Sequence, residues 1–269
     1  MAKWMRIAVP LAGVALVTLA LFPVQLLAQY FGWGIRHPIA RLWHGTVLWA
    51  VGVRVRRVGA QGSGRPLLIA ANHVSWTDVM AIGSVADVTF IAKAEVKQWP
   101  LIGPIARLQR TVFVERDRKR SSGAQAGAVA ERLGGGEAVV LFAEGTTSDG
   151  TFLLPFKSTL VGAAAIAAGG GHDTVFVQPV AIAYTRLHGM AMGRRERSIT
   201  GWIGDEELVP HLMGLLGRRA FDAEVRFGEP IAFRKGMDRK QVTREAEAAV
   251  RTMLAEALGH STKNPAERR

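Results

Sequence analysis

The segment RPLLIAANHVSWTD, residues 65–78, predicts a strand followed directly by a helix. Its first part, RPLLIAAN (65–72), is a short apolar run with the length of a buried strand. A turn is expected at residues 74–76, and a helix is expected to begin near Thr77 and to run to about residue 84. Polar residues therefore stand at the point where the strand ends.

The same alternation of strands and helices continues along the chain. Further strands are predicted at residues 88–92, 111–115, 137–145, 174–184 and 223–233, and further helices at about 102–109, 122–133, 158–168 and 238–258. Strands that alternate with helices are typical of an α/β domain built on a mostly parallel sheet. The predicted fold class is therefore α/β, with helices flanking the sheet and a membrane-anchoring helical segment before it.

The anchoring segment begins with residues 7–28, IAVPLAGVALVTLALFPVQLLA, which contain no charged residue over 22 positions. Because a helix needs about 20 apolar residues to cross a bilayer, these residues predict a spanning helix. Lys3 and Arg6 precede it, and by the positive-inside rule they keep the extreme N-terminus cytoplasmic. A cleaved signal peptide is the alternative, although the run is long for one and no clear A-x-A site follows it.

A second apolar segment, IARLWHGTVLWAVGVRV (39–55), carries two tryptophans but also contains Arg41 and His44. It is too short and too polar for a confident span, so an interfacial or re-entrant helix is predicted, with Trp43 and Trp49 at the headgroup level. If this helix returns toward the side from which the chain came, the domain that follows lies on the cytoplasmic face.

These segments predict a division of the chain into three parts. Residues 1–55 are predicted to form the N-terminal membrane anchor, with one spanning helix and one interfacial or re-entrant helix. Residues 56–259 are predicted to form the α/β domain, and residues 260–269 a flexible tail. The predicted location is the cytoplasmic (inner) membrane, with the α/β domain on its cytoplasmic face.

The composition narrows the classes of partner. Lys and Arg number 34 against 22 Asp and Glu, which gives a net charge of +12 and favours polyanionic partners. Together with the apolar N-terminus, this charge predicts contact with an anionic membrane surface. No nucleic-acid partner is predicted, because zinc-finger, RNA-recognition and helix-turn-helix signatures are absent. The chain has no cysteine, which excludes disulfides, thiolate nucleophiles and cysteine metal sites.

His73 and Asp78 are the candidate catalytic residues. Five positions along a regular helix would leave the two side chains about 140° apart. A turn at residues 74–76 would instead fold Asp78 back toward the imidazole. The carboxylate could then accept the Nδ1 proton and orient His73 as a general base. The alternative is a histidine at a strand end and a carboxylate that stabilises the first turn of a helix.

The segment FAEGTTSDG, residues 142–150, also follows an apolar strand. Glu144, Gly145 and Thr146 stand where that strand ends. Gly145 allows a ligand to approach the backbone closely, and the neighbouring N–H groups could hold an oxyanion or a phosphate. The alternative is an ordinary polar turn.

Taken together, the NH-x4-D and EGT motifs resemble those of the glycerolipid acyltransferase family that includes 1-acylglycerol-3-phosphate acyltransferase. Two further blocks resemble that family. TVFVERD (111–117) is similar to a strand that ends in a phosphate-binding arginine, here Arg116, and VQPVAI (177–182) is similar to a block whose proline, here Pro179, shapes the acyl site. The resemblance runs in order from about residue 65 to residue 185.

The resemblance implies a membrane-bound O-acyltransferase. His73 would deprotonate the hydroxyl of a lysophospholipid, oriented by Asp78, and the hydroxyl would attack the thioester of acyl-CoA or acyl carrier protein directly. The substrate-binding residues that it implies are Asn72, Arg116, Glu144, Gly145, Thr146, Thr147, Lys157 and Pro179. It implies neither a metal nor a prosthetic group. The expected acceptor is 1-acyl-sn-glycerol-3-phosphate, which would give phosphatidate.

The sequence departs from the family pattern in the block that contains the EGT motif. The family has F-P-E-G-T-R-S, whereas this chain has FAEGTTS, so that Ala143 replaces a proline and Thr147 replaces an arginine. Threonine cannot reproduce the bidentate fork that arginine offers to a phosphate. Arg116 and Lys157 could still serve an anionic headgroup. The alternative acceptor is lyso-ornithine lipid, because the EGT segment and WIGDEELVPHL (202–212) resemble that branch of the family.

Two other classes of protein stay open from the residues alone. A hydrolase could use a His, Asp and Glu cluster with a metal or water, although HExxH is absent. A non-catalytic, membrane-anchored basic adaptor could bind anionic lipid through charge alone. Substitution of His73 by alanine would leave the adaptor's function intact and would abolish that of an acyltransferase.

Overall fold

The secondary structure of the chain follows the predicted alternation. A computed structural model describes residues 2–114, 122–170, 172–204 and 206–259. Within these residues the helices are α1 (Ala2–Tyr30), α2 (Arg36–Val51), α3 (Thr77–Val85), α4 (Ile102–Leu108), α5 (Ser122–Gly134), α6 (Ser158–Gly169), α7 (Arg194–Arg197), α8 (Leu208–Arg218) and α9 (Arg239–Ala257). A 3-10 helix spans Ala94–Gln98.

The strands of the described residues form one sheet. They are β1 (Val53–Val58), β2 (Leu67–Ala71), β3 (Thr89–Lys93), β4 (Val112–Val114), β5 (Ala138–Phe142), β6 (Thr174–Leu187), β7 (Met190–Ala191), β8 (Phe221–Phe227) and β9 (Ile231–Arg234). Their order is β1-β8-β6-β2-β5-β3-β4, and β7 and β9 also pair with β6. β6 is antiparallel to β7, β8 and β9, and the other pairs are parallel. The predicted, mostly parallel α/β sheet is confirmed.

The two central strands explain why the sheet is covered on both faces. All residues of β2 and β5 are buried, and their side chains alternate between two cores. Leu67 and Ile69 pack in one core with residues of α2, α3 and α8. Leu68 packs in the other with residues of α5, α6 and α9. Each fully buried Leu or Ile contributes about 1.5–3 kcal/mol, so helices on both faces stabilise the centre of the sheet.

Several boundaries differ from the prediction. β5 ends at Phe142, before the predicted residue 145, and β6 continues past the predicted residue 184 to Leu187. The strand predicted at residues 223–233 is two strands, β8 and β9, which are separated by Gly228, Glu229 and Pro230. Pro230 has no N–H to donate to a ladder, and the N–H of Gly228 donates instead to the carbonyl of Pro179 at 2.9 Å. The helix predicted within residues 39–55 ends earlier, because Gly52 adopts φ +75° as a left-handed cap after α2.

The N-terminal helices α1 and α2 pack against each other as a hairpin. The indole N–H of Trp43 donates to the hydroxyl of Thr18 at 2.9 Å. Gly13 lies beside the ring of Trp49. Within the described residues, Ile7–Tyr30 is the one helical stretch long and apolar enough to cross a membrane, with a mean hydropathy of 2.3. The division of the chain at residue 55 stays a prediction.

Candidate active site

The turn between β2 and α3 brings His73 and Asp78 together. The Nδ1 atom of His73 lies 2.8 Å from Oδ2 of Asp78. The same carboxylate oxygen accepts the backbone N–H of Val74 at 2.6 Å and that of Ser75 at 2.8 Å. The carboxylate therefore also stabilises the turn, and the predicted fold-back of Asp78 onto the imidazole is confirmed.

The environment of His73 fixes which of its nitrogens carries a proton. Asp78 is fully buried (0% exposed) and its carboxylate can only accept, so the imidazole donates from Nδ1. Nε2 is then the nitrogen with the lone pair. The ring stacks on Phe142, at the end of β5, with centroids 3.8 Å apart and planes 14° apart. The imidazole side chain is 17% exposed, so a substrate can reach it.

Tyr184 on β6 completes the surroundings of Asp78. Its O–H donates to Oδ1 of Asp78 at 2.8 Å and also pairs with the hydroxyl of Thr77. Burial, and then the charge of Asp78, raise the pKa of Tyr184 well above its ordinary value, so the phenol keeps its proton. Tyr184 is not among the site residues predicted from the sequence. The one available signal was a hydroxyl-bearing residue at the end of a predicted buried strand.

Glu144 stands at the end of the β5 strand, as predicted, and it contacts backbone. Oε1 accepts the N–H of His73 at 2.6 Å and Oε2 accepts the N–H of Leu154 at 2.9 Å. Glu144 is 1% exposed, and burial raises its pKa to about 7 against the opposing effect of these two hydrogen bonds. Its contacts make it a positioning residue for His73, and headgroup binding by Glu144 stays a prediction.

Ser148 holds the other side of the His73 backbone. Its N–H donates to the His73 carbonyl at 2.8 Å, and its hydroxyl donates to the same oxygen at 3.2 Å. The loop after β5 therefore binds both the N–H and the C=O of His73. Sequence reasoning misses Ser148, although it lies within the quoted segment 142–150.

Four predicted binding residues lie in or beside the turn at the EGT motif (residues 144–146): Gly145, Thr146, Thr147 and Lys157. Gly145 has φ +72°, and a Cβ built on it would lie 2.8 Å from Nζ of Lys157, so the lysine side chain crosses directly over this glycine. Thr146 and Lys157 are exposed. The hydroxyl of Thr147 donates to the carbonyl of Trp202. The turn therefore presents Thr146 and Lys157, while Thr147 holds a neighbouring segment.

Three predicted binding residues remain. Asn72 is buried, and its amide exchanges two hydrogen bonds with the backbone of Ile182, at 2.8 and 3.0 Å, which joins the end of β2 to the interior of β6. Pro179 is buried in β6, opposite Ala70 of β2. Arg116 lies outside the described residues. Substrate binding by these three residues stays a prediction.

Comparisons with known proteins identify the family of the chain. The family model Acyltransferase matches residues 52–183. A lyso-ornithine lipid O-acyltransferase of Rhizobium meliloti is 45% identical over 268 residues, which cover 99% of this chain and 92% of that protein. Another protein of that name, from Brucella abortus, is 48% identical over 254 residues, which cover 94% of this chain and 95% of the relative.

Two further comparisons are more distant or shorter. A 1-acyl-sn-glycerol-3-phosphate acyltransferase of Neisseria gonorrhoeae is 45% identical over 94 residues, 35% of this chain and 37% of that protein. The crystal structure of a 1-acyl-sn-glycerophosphate acyltransferase from Thermotoga maritima aligns with a TM-score of 0.54 at 21% identity, over 94% of this chain and 100% of that one. This last likeness confirms the fold alone.

The apolar N-terminal helix indicates that the protein associates with a membrane.

The predicted resemblance is confirmed by a family match that includes the His73–Asp78 turn and by relatives that align over nearly the whole chain. The chain belongs to the acyltransferase family, and it is an acyltransferase.

Proposed function

We propose that this enzyme transfers a fatty acyl group from an acyl thioester to the hydroxyl of a lysolipid, with His73 as the general base. The observation that carries the proposal is the 2.8 Å contact between Nδ1 of His73 and the buried carboxylate of Asp78. It directs the lone pair of Nε2 away from the protein's own carboxylate. A partly exposed imidazole in this state suits proton abstraction from a bound hydroxyl.

The chemistry then runs in one transfer. Nε2 of His73 takes the proton of the acceptor hydroxyl while the oxygen attacks the carbonyl carbon of the thioester. The carbon–sulfur bond breaks, the ester forms, and the imidazolium returns its proton to the leaving thiolate. Asp78 stabilises the imidazolium while it exists. The donor is acyl-CoA or acyl-acyl carrier protein, and the proposed transfer uses no cofactor bound to this enzyme.

The acceptor that we propose is lyso-ornithine lipid. Relatives of that name align over nearly the whole chain at 45% and 48% identity, whereas the match to the Neisseria 1-acyl-sn-glycerol-3-phosphate acyltransferase extends over 94 residues. Thr147 stands where the family pattern has arginine, and its hydroxyl is bonded to the carbonyl of Trp202. Both observations favour the acceptor that the sequence analysis gave as its alternative.

Lysophosphatidate is the second candidate acceptor. Lys157 is exposed over Gly145 and supplies a cation at the turn where an anionic headgroup is expected. Against it, a lysine offers a phosphate a point charge and lacks the bidentate fork of arginine. Lysophosphatidate, the acceptor expected from the family resemblance, is therefore the second proposal.

The location that we propose is the cytoplasmic membrane, with the α/β domain on the cytoplasmic face. Its support is the uncharged stretch of α1 at residues 7–28, which Lys3 and Arg6 precede, and the net charge of +12, which attracts an anionic leaflet. A protease-protection experiment on inside-out and right-side-out vesicles tests it. Cleavage of the α/β domain only in inside-out vesicles would support the proposal, and cleavage only in right-side-out vesicles would overturn it.

The test of the activity is an acyl-transfer assay on membranes that contain the full chain. Two donors are used, labelled acyl-CoA and labelled acyl-acyl carrier protein. Each is offered with lyso-ornithine lipid and, separately, with lysophosphatidate. We expect product from lyso-ornithine lipid, its near-complete loss in His73→Ala, and retention in His188→Asn. His188 is an exposed histidine at φ +51°, a conformation that asparagine tolerates, so it is a matched control.

Product from lysophosphatidate alone would reverse the order of the two acceptors. Absence of product from both acceptors with both donors would overturn the proposed activity. Product that His73→Ala leaves unchanged would overturn the assigned base.

A further inference from the structure

A buried arginine lies beside the turn that follows the EGT segment. Arg197, at the end of α7, is 5% exposed, and its Nε atom has no hydrogen-bond partner among the described residues. A buried cation without a partner is strongly destabilising, so such groups are retained where an anion pairs with them. Arg197 is therefore a candidate for recognition of an anionic group of the substrate.

Three charged residues interact electrostatically with the guanidinium of Arg197. Asp149 and Glu196 attract the guanidinium and Arg194 repels it. Within the described part of the chain, Arg197 and Asp149 interact electrostatically without forming a direct ion pair. Asp149 is held in place, because its Oδ1 accepts the N–H of Thr151 at 2.8 Å. A fixed carboxylate thus lies near a buried guanidinium that it does not contact.

These two residues lie in segments that adjoin the loop holding His73. Ser148, whose N–H donates to the carbonyl of His73 at 2.8 Å, is the residue before Asp149. A Cβ built on Gly201 would lie 3.4 Å from the Cα of Asp149. The guanidinium of Arg194 lies 5.2 Å from the ring centroid of Phe152. The segment that carries Arg197 is therefore packed on the turn that holds His73.

The substitution of arginine by threonine at position 147 is part of this arrangement. The Thr147 hydroxyl donates to the carbonyl of Trp202, and the N–H of Trp202 donates to the carbonyl of Val74 at 2.9 Å. A longer side chain at position 147 would displace the first of these contacts. Thr147 thus bonds the loop to Trp202, which follows Arg197 by five positions in the chain.

We propose that Arg197 and Asp149 together bind a zwitterionic headgroup of the acceptor, Arg197 its carboxylate and Asp149 its ammonium. The inference rests on the proposed function and names the residues that select the acceptor. An ornithine that is linked to its lipid through one amine keeps one carboxylate and one ammonium, which matches this pair of charges. A phosphate monoester carries only negative charge, which Asp149 would repel.

The test compares KM and kcat for the two acceptors in variants of the full-length membrane enzyme. Asp149→Asn keeps an oxygen that can accept the Thr151 N–H, so the turn is preserved while the charge is removed. We expect it to raise KM for lyso-ornithine lipid by about tenfold or more and to leave KM for lysophosphatidate unchanged or lower. We expect Arg197→Gln to raise KM for both acceptors, with partial recovery in Arg197→Lys.

Arg195→Gln is the matched control, because it removes an exposed charge from the same short helix. An equal effect of Asp149→Asn on both acceptors, or an effect of Arg197→Gln no larger than that of Arg195→Gln, would overturn the inference. If the unsubstituted enzyme acylates neither acceptor, the proposed function itself fails. If it acylates lyso-ornithine lipid and only the variant pattern fails, the assignment of Arg197 and Asp149 is what is wrong.

Discussion

Replacement of Asp78 by asparagine separates the charge of this residue from its geometry. Oδ2 of Asp78 accepts two backbone N–H groups in addition to the imidazole, whereas among the described residues Oδ1 accepts from the phenol of Tyr184 alone. In Asp78→Asn the amide oxygen is therefore expected at the Oδ2 position, where it still accepts from Nδ1 of His73. The amide N–H₂ would face Tyr184, whose hydroxyl can accept. The turn and the tautomer are kept and the negative charge is lost.

The magnitude follows from the distance. Unit charges 2.8 Å apart attract by about 6 kcal/mol at an effective dielectric constant of about 20. A neutral amide oxygen still attracts the imidazolium, so only part of these ~6 kcal/mol is lost. We take the lost part as roughly half to two-thirds of the attraction. The barrier to transfer is then expected to rise by about 3–4 kcal/mol, which lowers kcat by roughly 10²–10³.

The assay is kcat for transfer to a saturating lysolipid, together with the midpoint of thermal unfolding. Asp78→Asn should unfold close to the unsubstituted enzyme. Asp78→Ala should be strongly destabilised, because it leaves two buried N–H groups without an acceptor. A kcat for Asp78→Asn within about threefold of the unsubstituted enzyme would refute the role of the charge. A fall in kcat well beyond roughly 10³-fold would refute the retained tautomer, because it would exceed the loss expected from the charge alone.

Three further predictions concern the surroundings of His73 and Asp78. Tyr184→Phe removes the donor to Oδ1 of Asp78, so we expect a loss of about 1–2 kcal/mol in the free energy of unfolding and a modest fall in kcat; unchanged stability would contradict this role. Phe142→Leu removes the ring on which His73 stacks, so kcat should fall by roughly three- to tenfold while KM stays constant, and a change in KM alone would contradict it. Glu144 has an ordinary pKa of 4.5 that burial raises to about 7, so the folded protein binds its proton more tightly. Stability should therefore fall as pH rises from about 4.5 to about 7 and then level off, and Glu144→Gln should remove this slope; equal slopes in both proteins would refute it.

The strand-and-turn unit at residues 65–78 could be predicted because its signals are local. An apolar run marks β2, and the five-residue spacing of His73 and Asp78 requires a turn if the two are to meet. The contacts that complete the site are distant in sequence. Tyr184 lies 106 positions from Asp78, and Ser148 lies 75 positions from His73. No periodicity within one segment reports such pairs.

The missed elements of the fold have a similar explanation. β1, β7, α7 and α8 are absent from the sequence-based prediction, and β1 is stabilised by pairing with the distant β8. β8 and β9 are predicted as one strand from the sequence, and the break between them depends on Pro230 and on a hydrogen bond from Gly228 to Pro179. Edge strands and short helices depend on tertiary pairing more than on local pattern.

The most direct test of the central claim is the rate of acyl transfer to lyso-ornithine lipid by the unsubstituted enzyme and by His73→Ala. Both substrates are held at saturation, and hydrolysis of the labelled thioester is followed in parallel. If His73 takes the proton of the hydroxyl, transfer should fall by roughly 10²–10⁴ in the variant while the protein stays folded. Transfer by His73→Ala at a rate within about threefold of the unsubstituted enzyme would contradict the account.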